Sequence, residues 1–180
     1  MKGEKMRFTE KDSKKFEVPA EELAPWLIGK LLCHEDGEGA NKFTIKCRIK
    51  VTEAYRKIDD ATDANRQSKP TAQLLSGGHI YFYNQKGEGR QRLDIVANRE
   101  GVAESVLICA VDSYDEGPQR TVWALDADEN SNGVYLLDKG TSYWLEDDGA
   151  IVSLNAPVPR KNIEDKTPLR FSAKSIEFNK

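Results

Sequence analysis

The sequence predicts an α+β fold: one domain in which a curved, mostly antiparallel, open barrel-like β-sheet is flanked by a few helices. Three observations predict it. The stretch from Ile45 to Tyr55 alternates apolar and polar side chains with period two, the mark of a half-buried strand. Further short apolar runs follow in hairpin-like succession, punctuated by turn residues. Clear helical spacing is confined to one segment near residue 20. A chain of 180 residues suits a single domain with a single core.

Residues 1–16 alternate Lys, Glu, Asp and Ser without periodicity and are expected to form a mobile arm, leaving residues 17–180 as the domain. The opening MKGEKMRFTEKDSKKFE lacks the apolar run of a secretory signal. Pro19 then begins a helix, with Glu21 and Glu22 in its first turn where the helix dipole favours acid. Leu23, Trp26 and Leu27 recur at helical spacing, Pro25 shortens or bends the helix, and Gly29 stops it. Lys30 to His34 reads as a strand that turns at Asp36-Gly37-Glu38-Gly39.

In the next strand, Ile45, Cys47, Ile49, Val51, Glu53 and Tyr55 share one face, with Lys46, Arg48, Lys50 and Thr52 on the other. Glu53 breaks the pattern, being a carboxylate among apolar neighbours. Residues 56–78 form a long polar loop, of the kind that is functional or disordered in compact domains. His79 to Tyr83, Leu93 to Ala97 and the continuously apolar Ser105 to Val111 are the following strands, the last of them central. Tyr143 to Leu145 and Leu169 to Ile176 close the sheet.

Composition excludes several classes. No run approaches eighteen apolar residues, so no membrane-spanning helix is expected, and the chain reads as cytoplasmic. Cys33, Cys47 and Cys109 lack CxxC spacing and read as small buried hydrophobes in a reducing compartment. The two histidines, His34 and His79, sit in no ligand-spaced cluster, so neither zinc nor any other cofactor is expected. A net charge of −3 argues against a protein that coats nucleic acid by charge alone, although 27 Lys and Arg leave room for a local basic groove.

A carboxylate on a buried face is costly unless compensated, and such groups are enriched at functional sites where a tuned base is wanted. The equally simple alternative is that Glu53 lies just past the sheet edge and points into water.

The stretch Arg48-Ile49-Lys50-Val51-Thr52-Glu53-Ala54-Tyr55 resembles the R-I-x-E-T-E-A-Y signature of the alkyladenine (3-methyladenine) DNA glycosylase family. Gly78-His79-Ile80-Tyr81-Phe82-Tyr83 is similar to its P-G-x-x-Y-V-Y strand. Gly117-Pro118-Gln119-Arg120 with Ala124-Leu125 resembles its G-P-x-K-L…A-L element. Tyr143-Trp144-Leu145-Glu146 and Thr167-Pro168-Leu169-Arg170-Phe171 match its W-L-E and K-P-L-R-F pieces in order. No one motif is specific; the ordered set, from about residue 18 to 175, is.

The resemblance implies a monofunctional glycosylase of base excision repair. Such an enzyme flips an alkylated or deaminated purine out of double-stranded DNA and hydrolyses its glycosidic bond without strand nicking. It implies Glu53 as the catalytic base that activates water, and Tyr55 and Tyr83 as rings that stack the base; without the resemblance both tyrosines read as core aromatics. At other family positions this chain differs. The base-contacting histidine aligns with Ala64, and the wedge tyrosine with Lys86, which reaches a phosphate but cannot stack. The asparagine that excludes normal guanine falls near Leu93 or Asp94, with Asp94 the better candidate. The arginine near the attacking water aligns with Cys109, and only Val111 to Glu116 stands in place of a long basic stretch. Arg90 and Arg92, with Lys86, are candidate DNA contacts, and Arg99 is a further basic residue nearby.

Three readings follow: an active, monomeric glycosylase working on DNA in the cytoplasm; a catalytically weak or silent relative that binds DNA or a nucleobase in the same pocket; or a β-rich interaction module. Retention of Glu53 with both tyrosines favours the first two.

Overall fold

The computed structural model describes residues 6–59, 61–62, 71–85, 90–112 and 116–178. Its strands are β1 (Met6–Arg7), β2 (Leu31–Asp36), β3 (Phe43–Tyr55), β4 (Ile80–Gln85), β5 (Arg90–Val96), β6 (Ser105–Val111), β7 (Tyr143–Asp147), β8 (Ile151–Leu154) and β9 (Arg170–Glu177). They form one curled antiparallel sheet in the order β1-β7-β2-β3-β6-β5-β4, with β9 paired to β3 and β8 to β9. Two α-helices among the described residues, α1 (Ala20–Leu27) and α2 (Pro118–Leu125), cover one face. The fold is α+β, as the sequence predicts.

β3 organises everything else. Its first half, Phe43 to Arg48, pairs with β2. Its second half pairs with β6 on one side and, through Val51 to Glu53, with β9 on the other. Between Ile49 and Thr52 the ladder to β6 shifts register. A bulge of this kind bends a strand and re-aims its side chains. Before it, the odd residues Cys47 and Ile49 enter the main core; after it, the even residues Thr52 and Ala54 are the ones turned that way. The Thr52 hydroxyl donates to the Ala24 carbonyl at 2.9 Å, tying this half of the strand to α1. Glu53 therefore does not share a face with Ile49, as unbroken alternation predicts. With Val51 and Tyr55 it lies on the opposite side of the sheet.

β6 switches faces in step. Val106, Ile108 and Val111 enter the main core, while Leu107 and Cys109 join Tyr55 and Ala61 in a smaller cluster on the second face. Burial on both faces is why this strand is apolar without interruption.

The expectation of a mobile arm over residues 1–16 fails for residues 6–16. β1 pairs with β7, and the backbone N–H of Phe8 donates to the Leu145 carbonyl at 3.0 Å. Phe8 and Phe16 are buried against Trp26, with ring centroids 5.3 to 5.9 Å apart across the three pairs. Two buried phenylalanines contribute about 1.5–3 kcal/mol each, enough to hold an otherwise charged segment on the domain. Gly77 completes the docking: a Cβ there would lie 2.2 Å from the Phe16 carbonyl oxygen, so the two backbones meet only because residue 77 has none.

The helix α1 begins after Pro19 and keeps Pro25 inside its eight residues. α2, which periodicity did not predict, starts with Pro118 at its first turn and ends on Asp126 in left-handed conformation.

Polar residues of β3 pair with residues at and just after the end of β7. Arg48 holds Asp148 through two bonds of 3.0 and 2.6 Å, and Lys46 holds Glu146 at 2.7 Å. The Arg48 guanidinium keeps the Asp148 carboxyl below the usual carboxylate range. A carboxylate depressed in the folded state contributes stability that is present above its unfolded value, near pH 4, and is lost as pH falls through the lower folded value. Urea midpoints are accordingly expected to be flat from neutral pH to about 5 and to drop below about 4. Asp148→Asn should flatten that drop, and an unaltered acid limb in this variant would contradict the assignment.

Candidate active site

The register of the sheet sets a row of side chains across its second face: Tyr81 opposite Asp94, Asp94 opposite Leu107, Leu107 opposite Glu53, and Glu53 opposite Arg170. Tyr83 and Arg92 form the next pair along β4 and β5. The loop carrying Arg160, Lys161 and Ile163 packs over the Glu53 end of this row.

Glu53 is 3% exposed, not at a solvent-facing edge. Its Oε1 accepts the Lys161 backbone N–H at 3.0 Å and the Arg170 guanidinium at 2.5 Å. Its Oε2 accepts the Tyr55 hydroxyl at 3.2 Å. The bulge at residues 49–52 aims the carboxylate here, and β9 brings the compensating charge. A buried carboxylate is tolerable with a guanidinium and two further donors around it.

Tyr55 is buried, and the Arg160 guanidinium lies 5.0 Å over its ring centre. Burial pushes the phenol far above its ordinary range, reinforced by the Glu53 and Asp94 charges, so the hydroxyl remains a donor. Arg160 is fixed by three acceptors: the Ala54 carbonyl at 2.9 Å, Asp59 at 2.8 Å and Asp165 at 3.0 Å. Burial alone would raise the Asp59 carboxyl, but bonds from Arg56 and Arg160 outweigh it and hold the group below its usual value.

Asp94 is also buried, and Leu93 lies in the main core behind it. Of the two positions the sequence offers, only Asp94 faces the same side as Glu53. It accepts the Ser105 hydroxyl at 2.7 Å, and Ser105 accepts the Gln73 amide at 2.7 Å. Tyr83 is half-buried, separated from Glu53 by β5 and β6, with its ring centre 6.3 Å from that of Tyr81. A cleft of about 470 Å³ opens against both rings, lined also by Thr71, Glu129 and Asn132. Glu53 does not line it.

Arg92, expected at the DNA backbone, packs its guanidinium on Tyr83, 4.5 Å from the ring centre. Arg90 stands exposed at the start of β5. Ala64 and Lys86 lie outside the described residues. Cys109 sits beside Glu53 and Arg170; burial, then the Glu53 charge, raises its thiol well above the ordinary value, so it stays neutral. Periodicity and motif spacing missed Arg160, Lys161 and Arg170 as site residues. Arg170 is visible in the Thr167-Pro168-Leu169-Arg170-Phe171 motif, but its contact with Glu53 depends on the β3–β9 register. Lys161 contributes a backbone N–H, which leaves no mark in a sequence.

A buried, oriented carboxylate beside a fixed phenol shares its sheet face with rings and a second buried carboxylate, and the family to which the chain is matched places it in the class of DNA glycosylases. The family model described as Methylpurine-DNA glycosylase (MPG) matches residues 14–176, and the chain belongs to that family. No curated protein matches it.

Proposed function

We propose that this protein is a monofunctional, monomeric glycosylase that takes an alkylated or deaminated purine out of duplex DNA in the cytoplasm and hydrolyses its N-glycosidic bond. The observation that carries this reading is the buried, asymmetrically bonded carboxylate of Glu53. Among the described residues Oε1 has two donors, whereas Oε2 has the Tyr55 hydroxyl alone and retains acceptor capacity. Oε2 is then the atom that takes a proton from water. The water oxygen bonds to the sugar carbon as the C–N bond breaks, and the bonding electrons leave with the purine. The carboxylate also stabilises the positive charge that develops on the sugar. No side-chain amine enters the chemistry, so the product is an abasic site in an intact strand.

Tyr83 supplies a stacking surface in this reading and Asp94 contacts the edge of the base, while the Tyr55 ring, covered by the Arg160 guanidinium, would stack a base only if that guanidinium moved aside. Arg90 and Lys86 are the backbone contacts, while Arg92 shapes the ring face of Tyr83. With Ala64, Cys109 and Lys86 at positions where the resemblance implies histidine, arginine and tyrosine, base selection is expected to be altered. A second reading, a weak or silent relative that binds DNA or a nucleobase, is favoured by one observation: the Glu53 carboxylate is already neutralised by Arg170.

Base release from duplexes containing hypoxanthine, ethenoadenine or methylated adenine separates the two. Release of any of these supports the enzyme. Silence on all three, with salt-dependent duplex binding, supports the binder. Tyr83→Ala is expected to reduce release about tenfold or more, as one base–aromatic stack is worth about 1–3 kcal/mol, whereas Tyr83→Phe keeps the ring and most of the activity. Equal losses in the two variants would exclude stacking as the role of Tyr83.

A further inference from the structure

We infer that Arg170 is the positioning residue of the site: it commits one oxygen of Glu53 to the protein and leaves the other for the reaction. The kinetic part of this inference rests on the glycosylase reading; the geometric part does not.

The two oxygens of a free carboxylate are interchangeable by rotation about its last torsion. Here they are made unequal. Arg170 Nη1 and the Lys161 backbone N–H converge on Oε1. The other end of the same guanidinium meets Glu116, just before α2. Glu116 also takes the Lys161 ammonium at 3.1 Å. The result is a closed ring of contacts, from Glu53 through Arg170, Glu116 and Lys161 back to Glu53. It joins β3, β9, the loop over the second face and the start of α2. The β3–β9 register sets Arg170 directly opposite Glu53, so the fork arrives without extending along the strand.

A guanidinium presents its donors in a rigid planar fork; a lysine presents one point charge on a flexible stem and cannot hold Oε1 in the same orientation. The sequence alone pointed to the opposite electrostatics, because Cys109 stands where the resemblance implies a cation. The structure supplies that cation from β9, and the Cys109 thiol lies within its reach.

The test compares the full-length parent with Arg170→Lys, Arg170→Gln and Glu53→Gln. Single-turnover release is expected to fall about tenfold in Arg170→Lys and about a hundredfold in Arg170→Gln, with duplex affinity held within about twofold. A structural role alone would not produce that split. Arg170→Gln leaves a buried charge unpaired and is the variant at risk of not folding, so Arg170→Lys carries the comparison if it does not.

A second readout needs no activity. In the free protein, the Lys161 amide resonance, reporting its bond to Glu53, should move in Arg170→Lys in the same direction as in Glu53→Gln. An unmoved Lys161 amide in a folded Arg170→Lys, or an unaltered release rate where the parent does release base, overturns the inference. Movement of the amide in a parent that releases no base upholds the positioning role and defeats the glycosylase reading.

Discussion

Replacing Glu53 by glutamine is expected to lower base release by about a thousandfold while leaving duplex binding near that of the parent, within the range of 10²–10⁴ that a positioned general base contributes. The amide is close in shape to the carboxylate but has neither its charge nor a basic oxygen to accept the proton of water. It also presents an N–H₂ group to a site built of donors: the Tyr55 hydroxyl on one side, Lys161 N–H and Arg170 on the other. One of those donors must lose its acceptor. Arg170 keeps Glu116, so the variant is expected to fold. Single-turnover release from the best of the three lesion duplexes is the measurement. A variant as fast as the parent would remove Glu53 from the chemistry and with it the mechanism argued from Oε2.

The largest effect on stability is expected at Arg160. Its side chain is fully buried and its partners are the Ala54 carbonyl, Asp59 and Asp165. Asp59 is itself only 4% exposed at the side chain. Arg160→Ala takes from that carboxylate the buried guanidinium that bonds it alongside Arg56 and opens space above the Tyr55 ring. Breaking a buried pair from one side costs about 3–5 kcal/mol, which in a domain of this size lowers Tm by roughly 6–20 °C. The double variant Arg160→Met with Asp59→Leu should recover part of the loss, because no buried charge is then left alone. Thermal and urea unfolding measure both. An Arg160→Ala protein within about 1 kcal/mol of the parent would mean that the loop over Tyr55 is held by something other than this pair.

The fold was readable where local chemistry and tertiary environment agree. Alternation over residues 45–49, the glycine turn at 37–39, the stop at Gly29 and the apolar run at 105–111 all reported their elements. Where a segment owes its order to distant partners, reading failed. Residues 6–16 look like a charged arm because Met6, Phe8 and Phe16 are their only apolar residues, and what the two phenylalanines bury against, Trp26, lies outside the segment. α2 carries no strong period, and its start at Pro118 is recognisable only from capping.

The candidate site divides in the same way. Glu53 stood out because a carboxylate among apolar residues is costly wherever it falls, whereas Tyr55 stood out only through the family resemblance. Asp94 was preferred to Leu93 from the motif alignment, and the pairing of β5 then showed which of the two faces the side of Glu53, since a shift of one residue exchanges the core face for the opposite one.

By itself, then, the sequence determined the class of fold, the family resemblance and the identity of the unusual acid, because composition, period and motif order are properties of the chain alone. The tertiary structure decided which side of the sheet that acid faces, through a bulge that alternation cannot register. It also decided which cation meets the acid, since Arg170 is 117 residues from Glu53 along the chain and adjacent only across a ladder of hydrogen bonds.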